Sequence, residues 1–330
     1  MSLLLNQPPK LCFRKRVLVR SSPHLSYLLV CADPCAANCD KVVMCTFAGG
    51  PTPFEEWNKR NEKDLKLCRE ISKEMGTIGS SNGWVPISKD GVLHLREMNV
   101  NHDVDPKRIM LPPLVTLPHC QSQYVTNVAM SSSPEEEDCV VAVKFLGPQL
   151  SFCRPATSNS EWINVRISNP CFFSSPVMFS KKDDMFRIAG SGGHLIGSWD
   201  LHKHSKLQSL RFQNLPELTK TKRDLLDSCY TSQHLVESKT TSETFMVKWY
   251  KKTQNIIKGI PRMKTQAIMV FKLDDEGNAV YTQDIGDQSI FLTMSEGFCV
   301  PRSSHLCRRL LNRVKIFDLY EDRYYKLADQ

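Results

Sequence analysis

Between Gln266 and Val300 the chain alternates short apolar runs with turn residues. Ala267 to Leu273 is apolar except for Lys272, and Asp274 to Asn278 is a turn in which Gly277 and Asn278 can take positive φ. Ala279 to Thr282 is β-prone, Ile285-Gly286-Asp287 turns the chain again, and Ser289 to Thr293 has the composition of a short buried strand. Ser295-Glu296-Gly297 precedes a last run, Phe298 to Val300. Short strands at this spacing predict an antiparallel all-β meander. The pattern also holds upstream. Cys139–Phe145 and Gln149–Arg154 flank a Gly147-Pro148 turn, and Met185–Ile188 and His194–Leu201 flank Gly190 to Gly193. These strands carry apolar residues on both faces, which suits a sheet packed between two others.

The openings of these units recur. Comparable positions are Gly83-Trp84, Asn127-Val128, Val177-Met178, His234-Leu235 and Ile290-Phe291, at intervals of 44, 50, 57 and 56 residues. Four-stranded propeller blades repeat at about 40–50 residues and stretch where loops are inserted. The expected fold is therefore an all-β β-propeller of four-stranded antiparallel blades occupying residues 25–330. Residues 54–75, with Trp57, Leu65, Leu67, Cys68, Ile71 and Met75 among charges, predict a short helical insertion. Ile109 to Leu114 reads as an extended Pro-Pro connector. Val314–Phe317 and Tyr324–Leu327 read as a C-terminal hairpin that the strands at 26–31 and 41–47 could complete into a last blade, unless that blade is incomplete.

Charge changes this picture only at the ends. The net charge of +8 is concentrated in residues 1–32, with five basic and no acidic side chains, and in 302–330, with seven basic and four acidic; residues 33–301 are balanced. A balanced body offers no basic face for a phosphate backbone, so no nucleic-acid partner is expected. Residues 1–24 are basic, acid-free and followed by serines, which is the composition of an organellar transit peptide. Import into mitochondria is expected, with cytoplasm or nucleus as the alternative. With 41% hydrophobic and 24% charged residues the chain is globular rather than disordered, and no apolar run of 18 residues predicts a membrane span. A monomer with unidentified protein partners is expected.

Candidate chemistry is sparse. Most of the thirteen cysteines are scattered among apolar neighbours and read as small buried hydrophobes. Cys31, Cys35 and Cys39 are spaced C-x3-C-x3-C, which falls short of an iron–sulfur run, and no CxxC pair accompanies them. His202 and His204 sit after Trp199-Asp200-Leu201 in what reads as a surface turn. Gly190-Ser191-Gly192-Gly193 lacks the Gly-Lys-Ser/Thr end of a phosphate loop and reads as a hairpin turn. Asp274 to Asn278 is too short for a calcium loop and is followed by a strand. No G-x-S-x-G or H-E-x-x-H occurs, so no catalytic residue, cofactor or metal ligand is nominated.

Several stretches together carry a family resemblance: IMLPPL (109–114), NVAMSSSPEEEDCVVAVKFLGPQLSFCRP (127–155), SWDLH (198–202), LLDSCYTSQHLVES (225–238), ETFMVKWYKKT (243–253) and MVFKLDDEGNAVYTQDIGDQSIFLTMSEGFCVP (269–301). Over roughly residues 25–315 the chain resembles the plant family called domain of unknown function 295, the β-propeller of many plant F-box proteins. The match is close to the organelle-directed branch that has a transit-type N-terminus in place of an F-box. The resemblance implies a propeller, a plant source and mitochondrial targeting, and no catalytic residues. The implied function is a non-catalytic protein-interaction platform. The alternative is an F-box-derived substrate-recognition protein of a ubiquitin ligase. Residues 303–317 (SSHLCRRLLNRVKIF) depart from the family pattern, which usually has a Pro-Gly turn after the serines.

Overall fold

The structure is a computed structural model that describes residues 27–31, 43–47, 82–89, 92–97 and 107–327. Within the last stretch 119, 121–123, 158–159, 203, 239–240, 258–259, 293–296, 302–311 and 319–320 are left out. The expected helix at 54–75 lies outside the described residues.

Among the described residues six sheets follow one another along the chain. β1 (Tyr27–Cys31) and β2 (Val43–Phe47) form an antiparallel pair. β3 (Trp84–Lys89), β4 (Val92–Glu97) and β5 (Arg108–Pro113) form a three-stranded meander. β6 (Val125–Met130), β7 (Val141–Phe145), β8 (Gln149–Cys153) and β9 (Ile163–Arg166) form a four-stranded one. β10 (Val177–Ser180), β11 (Met185–Ala189), β12 (Leu195–Trp199) and β13 (Ser205–Ser209) form the next.

The fifth sheet is larger. β14 (Arg211–Gln213) and helix α1 (Lys220–Asp227) precede β15 (Tyr230–Glu237) and the long strands β16 (Thr244–Ile257) and β17 (Ile260–Leu273). β18 (Asn278–Thr282) follows, with β14 added parallel to it on the outer edge. The sixth sheet holds β19 (Gln288–Leu292), β20 (Gly297–Pro301), β21 (Arg313–Asp318) and β22 (Glu321–Lys326) in the order β20-β19-β21-β22, with β19 and β21 parallel.

The strands at the five expected repeat positions are β3, β6, β10, β15 and β19, the first strand of each sheet from the second to the sixth, apart from the β14 addition. Two-sided burial explains how the sheets stack. In β16, Phe245, Val247 and Trp249 pack toward the sixth sheet, while Met246 packs toward the fourth. In β7, Val141, Val143 and Phe145 face the second sheet and Ala142 faces the fourth. Four apolar layers thus lie between consecutive sheets from the second to the sixth. At about 25 cal/mol per Å² of buried apolar area, these layers are the main stabilising term. Cys139 and Cys153 belong to the first layer and Cys299 to the last, and burial pushes Cys153 up to about 11. These cysteines behave as the small hydrophobes the sequence suggests.

Three features depart from the expected pattern. Pro112 and Pro113 belong to β5, an edge strand whose pairing with β4 is irregular between Val92 and His94, so at most one of the two missing N–H groups falls on the ladder side. Among the described residues β1 and β2 pair with each other alone, beside β21, and the sixth sheet reaches four strands without them. That sheet is also not a simple meander, because the connection from β20 returns the chain to the far side of β19.

Polar ties lock neighbouring sheets. The Asn127 side chain donates to the Val177 carbonyl at 2.8 Å and accepts from its N–H at 2.9 Å, joining β6 to β10. Lys144, wholly buried, donates to the carbonyls of Phe145, Gly147 and Phe173, and burial pushes its pKa down to about 8.

Candidate functional site

Strands β6, β10, β15 and β20 lie side by side as the innermost strands of their sheets. β6 and β10 end at one face and β15 delivers Glu237 there, while β20 starts there at Gly297. Gly297 allows this close approach: a Cβ would meet a Val236 methyl at 2.7 Å. Together these ends and their loops rim an open cavity of about 890 Å³.

The rim is built by local hydrogen bonding. The loop SSSPEEED after β6 closes on itself, with Ser131 N–H donating to the Val140 carbonyl at 3.0 Å and Val140 N–H to the Ser131 hydroxyl at 2.8 Å. Asn82 donates to the Met130 carbonyl at 2.9 Å, and Lys107 pairs with Glu135, so the second sheet grips the same loop. Glu237 reaches from β15 to the β10–β11 turn, where it accepts from the Ser180 hydroxyl at 2.6 Å and from the N–H groups of Lys181 and Lys182 at 3.0 and 3.2 Å. Such charge-assisted bonds to backbone donors are the stronger kind. Asp200 accepts from the His204 backbone and ring, both at 2.8 Å. Burial raises the pKa of Asp200, but these bonds outweigh it and hold the carboxyl below its usual range.

The electrostatic outcome is an acidic rim. Among the described residues, Glu136, Asp138, Asp184, Asp200 and Glu237 line the cavity, with Arg154 and Lys181 opposite in sign. Met178, Phe179 and Phe298 supply apolar wall. The arrangement can hold a polar segment with apolar side chains.

Several sequence candidates resolve as turns. His202 and His204 lie in the exposed β12–β13 turn with ring centroids 6.1 Å apart, and His202 lines the cavity. The Gly190–Gly193 turn closes through Gly193 N–H to the Gly190 carbonyl at 2.8 Å. Asp274 spends both carboxylate oxygens on Asn278, at 2.7 and 2.6 Å, while Gly277 takes φ +86° where a Cβ would strike the Ser209 carbonyl at 2.6 Å. That is hairpin chemistry. Of the spaced cysteines, Cys31 belongs to β1, and Cys35 and Cys39 lie outside the described residues.

A second, smaller pocket of about 240 Å³ lies between the fourth and fifth sheets. Arg187 lies within it, 7% exposed, with an ion pair to Asp183 at 3.0 Å and a hydrogen bond to Gln208 at 3.3 Å. Its Nε has no acceptor. Leaving a buried donor unmet costs about 1–3 kcal/mol, and more for a charged group. Sequence reading missed Arg187, and the only local signal was one cation inside the apolar strand MFRIA.

A search of curated proteins finds no match to the chain. Comparison with family models matches residues 58–314 to the KIB1-4 β-propeller. The match spans the greater part of the chain and agrees with the stacked sheets and the rimmed cavity, so the chain belongs to the KIB1-4 β-propeller family.

Proposed function

We propose that the protein is a non-catalytic interaction platform that docks a protein partner at the cavity where β6, β10, β15 and β20 meet. The observation that carries this reading is the construction of the rim. Loops from several sheets are hydrogen-bonded into fixed shapes around an open, polar cavity of about 890 Å³. A preformed concave surface loses little freedom on binding, and its carboxylate surplus favours a partner segment that brings positive charge. The basic, acid-free N-terminal segment supports import into mitochondria, and the quoted sequence stretches support the organelle-directed branch of the domain of unknown function 295 family. A ligase substrate-recognition role is the runner-up, favoured only by the resemblance to F-box-associated propellers.

Proximity labelling with the full chain, compared with a Glu136→Lys/Asp138→Lys variant, tests the docking reading. Both side chains are exposed on the rim, so the variant is expected to fold and to lose a reproducible set of labelled proteins. An unchanged set would overturn the rim as the docking site, and recovery of ligase core subunits would favour the runner-up. A reporter fused to residues 1–30 tests the location, and a diffuse cytosolic signal would overturn it.

A further inference from the structure

The pocket between the fourth and fifth sheets is separate from the rimmed cavity. The β10–β11 turn divides them: Lys181 and Asp184 face the cavity, while Lys182 and Asp183 line the pocket. Strand register builds its floor. Arg187 on β11 pairs across with Ser198 on β12, and Ser198 pairs with Lys206 on β13. These three residues form one cross-strand row, and directly opposed residues share a face. Arg187 and Lys206 are two strand spacings apart, about 10 Å at Cα, so their long side chains can converge over Ser198.

The charges are settled except at two donors. Asp183 is paired with Arg187 at 3.0 Å, Asp275 with Lys182 at 2.5 Å, and Asp274 is hydrogen-bonded by Asn278 and feels the charge of Arg211, which lies outside the pocket lining. The Lys206 ammonium has no acidic partner among the described residues. The Arg187 Nε is buried without an acceptor. Buried polar atoms in native proteins are almost always satisfied, so an orphaned guanidinium N–H on a pocket wall points to an acceptor that arrives from outside the chain.

We propose that this pocket binds a carboxylate, held by the Arg187 Nε–H and the Lys206 ammonium over Ser198. One unpaired cation calls for one negative charge. A phosphate dianion would bring more negative charge against Asp183, Asp274 and Asp275, which line the same pocket. Leu273 and Met185 supply apolar wall for the carbon attached to the carboxylate. The carboxylate belongs either to a free organic acid or to a protein segment.

Arginine Nε–H resonances of the 15N-labelled full chain report the contact directly, with the Arg187 signal assigned by its loss in Arg187→Lys. Sodium acetate is expected to move that signal saturably, while sodium chloride at equal ionic strength does not. Lys206 is exposed, so Lys206→Ala keeps the fold, and it is expected to weaken acetate roughly three- to tenfold, the scale of one charge-assisted contact. N-acetylglutamate and a short peptide with a free C-terminal carboxylate, each against its amidated form, distinguish the two sources. Binding of either acid form over its amide supports the proposal and names the source. No saturable shift, an equal shift with chloride, stronger binding of phosphate than acetate, or unchanged affinity in Lys206→Ala would overturn it.

Discussion

The two halves of the β16–β17 hairpin share one hydrogen-bond ladder but live in different surroundings. In the inner half, β15 pairs with β16 up to Lys251 and β18 pairs with β17 from Val270, so the hairpin is the middle of a sheet. Phe245, Val247, Trp249, Ile268 and Val270 are each no more than 1% exposed there. In the outer half, Lys252 to Ile257 pair only with β17, bulges fall at Tyr250/Lys251 and Thr253/Asn255, and Ile256 is 68% exposed. Residues 251–264 carry five basic and no acidic side chains. Burial on both faces fixes the inner half, whereas the outer half is held by its ladder and shielded from edge-to-edge pairing by lysines and bulges.

The boundary between the halves is a polar plug. The Trp249 indole N–H donates to the Thr265 hydroxyl at 2.7 Å, and Thr265 donates its hydroxyl and N–H to Glu321 at 2.6 and 3.1 Å. Tyr325 donates its hydroxyl to the same carboxylate. The Lys251 ammonium lies 3.9 Å from the Trp249 ring centroid and caps the stack. If this plug separates a stabilising half from a dispensable one, Trp249→Ala is the most damaging single change in the hairpin. It is expected to cost about 3–5 kcal/mol, the range for deleting a large buried aromatic. Ile256→Ser, a few residues further out, should stay within about 0.5 kcal/mol. Denaturant unfolding of the full chain measures both, and similar losses would erase the distinction.

A proton probes the same boundary from the inner side. His234 on β15 lies 5.8 Å from the Trp249 ring, bonds through its ring nitrogen to Ser232, and is 8% exposed. Burial, with the Lys251 charge adding to it, pushes its pKa down to about 3. Below about pH 6.5 the unfolded chain therefore takes up a proton that the folded chain refuses. Stability from this group is complete above that pH and drains away as pH falls toward 3. By linkage the loss is about 2 kcal/mol at pH 5 relative to pH 7.5. The difference between the native chain and His234→Gln across that range isolates it, and a pH-independent difference would show that His234 titrates alike in the folded and unfolded chains.

Local and non-local information divide unevenly across the molecule. Where a strand is bounded by Gly or Asp/Asn turns, as at Gly147-Pro148, Gly190–Gly193 and Asp274–Asn278, sequence reading placed the hairpin, because the turn residue and the strand ends are neighbours in the chain. The 14-residue lengths of β16 and β17 were not legible, since residues 251–264 have the polarity of a loop, and 251–257 and 260–264 are extended only because the two strands pair. β14 and α1 were missed for a related reason: three and eight residues carry too little periodicity, and β14 exists through its parallel partner β18. The candidate sites were least legible. Glu237 joins Ser180 across 57 positions, and Arg187, Ser198 and Lys206 become one row only through register. No spacing rule connects them.

The smallest expected effect tests the outer half directly. Lys252 and Lys264 sit opposite each other in the ladder, and like charges in that position repel. Lys252 is also drawn toward the start of β15, where its ammonium donates to the Ser228 hydroxyl at 3.0 Å, so it has limited freedom to swing away. Lys264→Glu replaces the repulsion with an attraction across a solvent-facing pair, worth about 0.2–1 kcal/mol. The variant should therefore be slightly more stable at low salt, and the gain should vanish in about 1 M salt, where the screening length falls to about 3 Å. A gain that survives high salt would mean that the pair is shielded from solvent and that the outer half is held by packing after all. A loss at low salt would mean that Lys264 is held by an acidic neighbour whose attraction exceeds the repulsion from Lys252.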